Sequence, residues 1–199
     1  MKTFEGKTLD DAIENACQEL GVSLNELHYT IIEEKKSLFN KKVVIECYYD
    51  EMIEEFMSDY IRRLITDMGF EIETVTYKQD GRFYCTIDTD NNSILIGKNG
   101  VILRALNFIV KNAVNTQFKE KIEISVDING YKESRYRKVT AMSKRIGRQV
   151  QRTKVAVKLD PMPADERKVM HQTIAAMDHL KTESKGEGAN RYITISYVD

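Results

Sequence analysis

The residues of this 199-residue chain with the clearest chemical potential sit together at Gly97-Lys98-Asn99-Gly100, with Ile96 and Ile102 on either side and Arg104 one helical turn on. Two glycines three apart let the main chain turn sharply and come close to an outside group. The second glycine opens an apolar-periodic stretch that reads as a helix, whose unpaired N–H groups and positive dipole end favour a phosphate. Lys98 at the tip adds a mobile cation, and Arg104 adds another. Leu95 and Ile96 before the loop, with Val101, Ile102 and Ala105 after it, can wall an apolar groove for a nucleobase. Two other phosphate loops are excluded by spacing: an NTPase loop needs Gly-x-x-x-x-Gly-Lys-Ser/Thr, and a dinucleotide fingerprint needs a third glycine. On these four residues alone, a plain helix–turn–helix connection remains open, because glycine is general punctuation.

A second constellation is basic. Lys138, Arg145, Arg148 and Arg152 fall close to one line of a helix spanning residues 131–154, a segment whose only acid is Glu133. Solvated helix faces usually mix signs. A face of one sign can track several phosphates of a single strand. Further on, Arg167 and His171 stand four apart and share a helix face. By themselves they read first as a surface pair or a capped core histidine. His171 and His179 are too far apart, with no other ligand cluster, to suggest zinc. No paired carboxylates or Cys/His pair stand at usable spacing, so no catalytic residue, metal or cofactor is expected and the chain does not read as an enzyme.

Cys17, Cys47 and Cys85 are odd in number and widely spaced on apolar-periodic positions, which suits small core hydrophobes rather than a disulfide frame. The cytoplasm is the default compartment for such usage. Apolar content of 42% with 31% charged residues is ordinary for a globular protein. No apolar run approaches the length of a membrane span, and no signal segment opens the chain. The net charge of −1 hides a segregation: residues 1–50 and 51–130 are each acidic, at −4 apiece, and residues 131–199 carry +7. A polyanion is therefore expected to contact the last third.

The elements that would position these groups follow from periodicity. Residues 1–50 read as strand, helix, strand, strand, with Thr8 as helix cap, a stripe of Leu9, Ala12, Ile13, Ala16, Cys17 and Leu20, and a stop at Gly21. Val43, Ile45, Cys47 and Tyr49 share a strand face. In the connector between the two later strands, Leu38 and Phe39 suit either a partner contact or a tucked anchor. Residues 51–130 read as helix, strand, strand, short helix, glycine loop, helix, strand. The first helix carries a stripe from Ile53 to Met68, closed by Gly69. Asp80-Gly81 marks a hairpin, and Val101, Ile102, Ala105, Leu106, Ile109, Val110 and Ala113 are predicted inward on the later helix. In residues 131–199 a basic helix with Tyr136, Val139, Met142, Ile146 and Val150 inward precedes a strand at 155–159. Asp160-Pro161-Met162-Pro163 then starts a second helix. Residues 181–188 read by composition as a mobile loop, and a last strand turns Ile193, Ile195 and Tyr197 inward. The fold class is α+β, in three small domains: 1–50, 51–130 and 131–199.

The loop and the order of elements around it resemble a type II KH domain, in which a Gly-x-x-Gly loop clamps the backbone of about four single-stranded nucleotides. Taken whole, the sequence is similar to the Jag family (also written EloR or KhpB) of bacterial RNA-binding proteins, built from Jag-N, type II KH and "R-three-H" domains, the last named for an Arg-x-x-x-His motif. The Jag-N likeness rests on Glu5-Gly6-Lys7-Thr8 and Leu20-Gly21. The KH likeness rests on Leu95 to Gly100, Leu103-Arg104-Ala105-Leu106 and Val114-Asn115. The C-terminal likeness rests on Leu159 to Pro163, Glu166-Arg167, His171, Thr182-Glu183-Ser184, Gly186-Glu187 and Arg191. Where the family has a glycine-rich turn and a linker, this chain has Ser37-Leu38-Phe39-Asn40 and almost no linker.

The resemblance implies binding of single-stranded RNA by the KH module and of single-stranded nucleic acid, DNA included, by the C-terminal one, with the naming motif on Arg167 and His171. His171 would either bond the strand or fix Arg167. The resemblance also implies pairing with a small single-KH protein as a heterodimer and an influence on cell elongation and envelope growth. The alternative is a protein-interaction scaffold whose KH surface makes homo- or heterodimers.

Overall fold

The computed structural model describes residues 1–36 and 41–199, so the expectation for Leu38 and Phe39 lies outside the described residues. The fold is α+β, with small three-stranded sheets and helices packed on them. It divides into two compact units, Met1–Asn129 and Gly130–Asp199.

The first unit begins with β1 (Lys2–Gly6), α1 (Leu9–Leu20), β2 (Leu27–Lys36) and β3 (Lys41–Tyr49), in the sheet order β1-β3-β2 with antiparallel pairing. Thr8 caps α1 as a full capping box: its hydroxyl accepts from the Asp11 amide and the Asp11 carboxylate accepts from the Thr8 amide, each at 3.1 Å. Gly21 ends the helix in the left-handed conformation (φ 70°). Ala12 and Ala16 of the expected stripe are fully buried against Phe4, Val43, Ile45 and Cys47, with Leu9, Ile13, Cys17 and Leu20 packed partly around them. Burial pushes the Cys47 thiol up to about 11 and the Cys85 thiol up to about 12, so both act as inert core groups. Tyr48, on the opposite face of β3, is the buried tyrosine, whereas Tyr49 is half-exposed.

β3 runs without a linker into α2 (Asp50–Asp67), followed by β4 (Glu73–Gln79), β5 (Arg82–Asp88), α3 (Asn92–Ile96), a 3₁₀ turn at Lys98–Gly100, α4 (Val101–Phe118) and β6 (Ile124–Ile128). Tyr48 explains the direct join: its ring stacks on His28 and packs beside Phe118, and its hydroxyl donates to Glu120. Lys119 and Glu46 add an ion pair at 2.9 Å. Ile53, Met57, Ile61 and Ile65 bury the core face of α2, but Met68, expected in the stripe, is exposed beyond the helix end, where Gly69 takes φ 88°. Asp80 and Gly81 both have positive φ and join β4 to β5 as a two-residue hairpin. The sheet order is β4-β5-β6, with β5 and β6 parallel.

The inward face of α4 also needs correction. Of the predicted set, Leu106 and Val110 are buried and Ala113 is half-buried, whereas Val101, Ile102, Ala105 and Ile109 face outward; Leu103, Val114 and Phe118 fill the core instead. This helix is apolar on more than one side, so periodicity alone cannot choose its face. Polar anchors choose it: the side-chain carbonyls of Asn107 and Asn115 accept from the amides of Val126 (2.8 Å) and Ile122 (2.9 Å). By length and composition the helical stretch Asn92–Phe118 could cross a membrane, contrary to expectation. Positive φ at Gly97, Asn99 and Gly100 breaks that stretch in the middle, and α4 buries a full face in the core.

The second unit comprises α5 (Tyr131–Thr153), β7 (Val157–Lys158), α6 (Ala164–Ala175), β8 (Leu180–Lys185) and β9 (Tyr192–Tyr197), with antiparallel sheet order β7-β9-β8. Val139, Ile146, Val150, Met170, Ile174, Ile193 and Ile195 form its core. Gly147 lets the helices approach, since a Cβ there would lie 2.8 Å from Met177 and 3.0 Å from Ile174. The strand expected at 155–159 shrinks to two residues. The stretch expected to be a mobile loop is largely a strand, β8, because Thr182 and Ser184 turn inward to polar partners rather than to the hydrophobic core.

Candidate nucleic-acid interface

The glycine loop is held from three sides. Thr89 anchors its approach, accepting from the Asn91 amide at 3.1 Å, and Leu95 plugs the core beneath. Gly97 (φ 70°, ψ 175°) adopts a backbone conformation essentially restricted to glycine. A Cβ there would also lie 2.7 Å from Cγ1 of Ile102. Gly100 is left-handed and caps α4. The amides of the two glycines are not available, a change from the simplest reading of the motif: Gly97 donates to the Ser93 carbonyl (3.2 Å) and Gly100 to the Gly97 carbonyl (3.1 Å). Among the described residues, the amides of Lys98 and Asn99 donate to nothing. Both residues are exposed at the tip, with Ile96 half-buried and Ile102 exposed beside them. Arg104 is exposed too, but one guanidinium nitrogen donates to the Asn99 carbonyl at 2.6 Å. Its first role is therefore to hold the loop tip, with its other donors left over.

In the second unit the edge strand β8 and α6 bring Arg167 and His171 together. Both ring nitrogens of His171 are engaged: Nδ1 with the Thr182 hydroxyl at 2.6 Å and Nε2 with the Ser184 hydroxyl at 2.8 Å. Ser184 in turn accepts from Arg167 Nη1, and the Met162 carbonyl accepts from Arg167 Nε, each at 3.3 Å. His171 thus acts on Arg167 through Ser184. Periodicity and composition do not reveal this, because they assign Ser184 to a loop; only the family resemblance singles out Thr182-Glu183-Ser184. Burial, and then the Arg167 charge, lower the His171 pKa below its ordinary value of 6.5. A depressed histidine makes the folded state resist a proton that the unfolded chain accepts, so its contribution to stability is present above that value and lost as pH falls through it. Amide exchange of α6 in the full chain between about pH 7.5 and 5.5, corrected for intrinsic exchange, should therefore show a steeper acid loss of stability in the C-terminal unit than the His171→Gln variant shows. Equal slopes would refute the coupling.

Lys138, Arg145, Arg148 and Arg152 are exposed along α5 on the side opposite its buried Val139, Ser143, Ile146 and Val150. Among the described residues none of the four forms an ion pair. Arg135, counted with the same basic segment, is instead committed to the buried Glu166 through two hydrogen bonds, at 2.9 and 3.1 Å. The described residues contain no group of three or more metal-ligating side chains.

Comparison with known proteins agrees with this layout. The family model of the Jag N-terminus matches residues 4–49, and that of the R-three-H domain matches residues 137–197. RNA-binding protein KhpB of Bacillus subtilis (strain 168) is 29% identical over 204 residues, covering 98% of this chain and 97% of that protein. RNA-binding protein KhpB of Clostridium symbiosum is 28% identical over 202 residues, covering 98% and 91%. The chain belongs to the Jag family. A more distant relative, RNA-binding protein KhpB of Streptococcus pneumoniae (strain ATCC BAA-255 / R6), is 25% identical over 163 residues, covering 81% of this chain and half of its own length. In this Jag-family chain the R-three-H match takes in Arg167, His171 and Ser184 together. The glycine loop lies between the two matched regions.

Proposed function

We propose that the chain is a non-catalytic, cytoplasmic protein that binds single-stranded RNA at two places. One is the glycine loop of a type II KH domain spanning residues 51–130, and the other is the Arg167 site of a C-terminal domain spanning 131–199, with a Jag-N domain at 1–50. The observation carrying this reading is the loop geometry: the amides of the exposed residues Lys98 and Asn99 find no acceptor among the described residues and stand beside an apolar wall that includes Ile102. Phosphate takes the amides and the Lys98 ammonium, and a base rests against Ile96 and Ile102. At the second site Arg167 supplies the phosphate contact and His171 positions it. Lys138, Arg145, Arg148 and Arg152 add a track of phosphate contacts. Single-stranded DNA shares the phosphates and would compete more weakly wherever the 2′-hydroxyl is read. The names of the KhpB relatives support RNA as the ligand, and the family resemblance extends the proposal to control of cell elongation and envelope growth.

Titration of short single-stranded RNA against the full chain tests this. Arg167→Ala should weaken binding and reduce the salt slope by about 0.7, the value for one phosphate on a single strand. Identical curves for wild type and variant would remove Arg167 from the interface.

A second reading has its own observation. The outward side of α4 exposes Val101, Phe108 and Ile109 (53%, 68% and 42%) in one row with Ala105. An apolar row of this kind suits another KH domain, either from a small single-KH protein or from a second copy of this chain. Sedimentation of the protein alone and with Phe108→Glu distinguishes the homodimer from the heterodimer. A monomer in both cases excludes self-pairing.

A further inference from the structure

We infer that the open face of the C-terminal sheet is a second track for the RNA strand held by Arg167. The inference rests on the reading that this unit binds RNA.

Ile193 and Ile195 of β9 turn toward α5 and α6, which pack on that side. The other side is uncovered within the unit. The alternation and register of the strands put Lys158 opposite Thr194, Lys185 opposite Tyr192 and Lys181 opposite Ser196, all on this open side. The three lysines are exposed and the three β9 side chains half-exposed. One acid shares the face, Glu183, whose carboxylate is 3.2 Å from Lys185 Nζ. Lys158 Nζ lies 4.4 Å from the centroid of the Tyr192 ring.

That set fits a single-stranded polyanion. Lysines serve as mobile phosphate contacts, and an aromatic ring gives any base a stacking surface. Threonine and serine hydroxyls can meet a 2′-hydroxyl or a base edge. Lys158 moves from the ring to a phosphate as a base takes its place. Lys181 and Lys185 are about 13 Å apart along an extended strand, so they contact different phosphates.

Continuity with the first site follows from β8, which is an edge strand. Its inward Thr182 and Ser184 hold His171, and Ser184 also accepts directly from Arg167, whereas its outward Lys181 and Lys185 belong to the open face. A strand leaving Arg167 needs only to round this edge to reach Lys185 and Tyr192. The cations along α5 lie on the far side of the helical layer and form a separate surface.

The test uses the full chain and fluorescently labelled mixed-sequence single-stranded RNA of about 6 and about 16 nucleotides, lengths at either end of common single-strand site sizes. In the variant Lys158→Ala/Lys181→Ala/Lys185→Ala, the salt slope for the longer RNA should flatten by about 2, from 0.7 per lysine, with little change for the shorter one. Tyr192→Ala should weaken the longer RNA at least fivefold, and Tyr192→Phe should restore it. Wild-type binding with an unchanged slope in the triple variant overturns the track and leaves the Arg167 site standing. No binding by the wild type to either RNA overturns both. Loss of an acidic peptide's binding in the triple variant, with RNA binding intact, assigns the face to a protein and also overturns the track.

Discussion

Gly97→Ala should weaken RNA binding at the glycine loop by tenfold or more, and it should do more damage than Gly100→Ala. Two costs combine at Gly97. Its backbone (φ 70°, ψ 175°) lies in a region that residues with a Cβ adopt only at about 1–3 kcal/mol. In addition, the new methyl would sit 2.7 Å from Cγ1 and 3.2 Å from Cβ of Ile102, and that Cβ is fixed on α4. The loop escapes by shifting, which moves the Lys98 and Asn99 amides away from where a phosphate would meet both. Since about 1.4 kcal/mol is a factor of ten, the strain alone accounts for the predicted loss. Gly100 is left-handed (φ 73°, ψ 22°), like its neighbour Asn99 (φ 53°, ψ 30°), and this conformation costs an ordinary residue about 1–2 kcal/mol. Adding Ile102→Ala to Gly97→Ala relieves the collision but not the backbone, and it also takes away the base's apolar support, so it should restore at most a small part of the affinity. Titration of a short RNA against the three variants decides the matter. Equal losses at Gly97 and Gly100, or full rescue by Ile102→Ala, would show that the backbone of Gly97 is not what matters.

Element order could be read from the sequence wherever one rule sufficed. The capping box at Thr8, the left-handed stops at Gly21 and Gly69, the Asp80-Gly81 hairpin and the glycine loop all carry local signals that fix local geometry. Misreadings fall where tertiary partners decide. The face of α4 is selected by Asn107 and Asn115 gripping the segment that forms β6, which no spacing within α4 announces. Residues 181–185 look like a loop because their inward side chains are a threonine and a serine, and those residues belong in a strand only once His171 is there to receive them. The same contact explains why Arg167 and His171 look ambiguous alone: their link passes through Ser184, 17 residues from Arg167. Charge segregation singled out the last third of the chain, but it counted Arg135 among the cations available to a ligand when Glu166 already holds it.

Arg135→Ala should cost the C-terminal unit roughly 3–5 kcal/mol, the usual consequence of leaving a buried charge without its partner. Glu166 is 3% exposed and meets Arg135 through both carboxylate oxygens. That pairing, first through the hydrogen bonds, raises the arginine's pKa and keeps it charged. The pair joins the second turn of α5 to the first turn of α6, and Glu166 directly precedes Arg167, so it also fixes how α6 presents Arg167. Arg137 supplies the control on the same helix. It pairs with Glu133 at 2.7 Å, but both side chains are more than 70% exposed, and such a pair contributes about 0–1 kcal/mol. Because the chain has two units, a single unfolding midpoint would mix them, and amide exchange in α5 and α6 reads the effect directly. Exchange there should accelerate by at least a hundredfold in Arg135→Ala and by less than about sixfold in Arg137→Ala. Pairing Arg135→Ala with Glu166→Leu should recover most of the protection, since an apolar replacement removes the stranded charge. If the two arginine variants behave alike, the carboxylate of Glu166 is not stranded by the loss of Arg135. If the double variant fails to recover, the cost lies in packing rather than in charge.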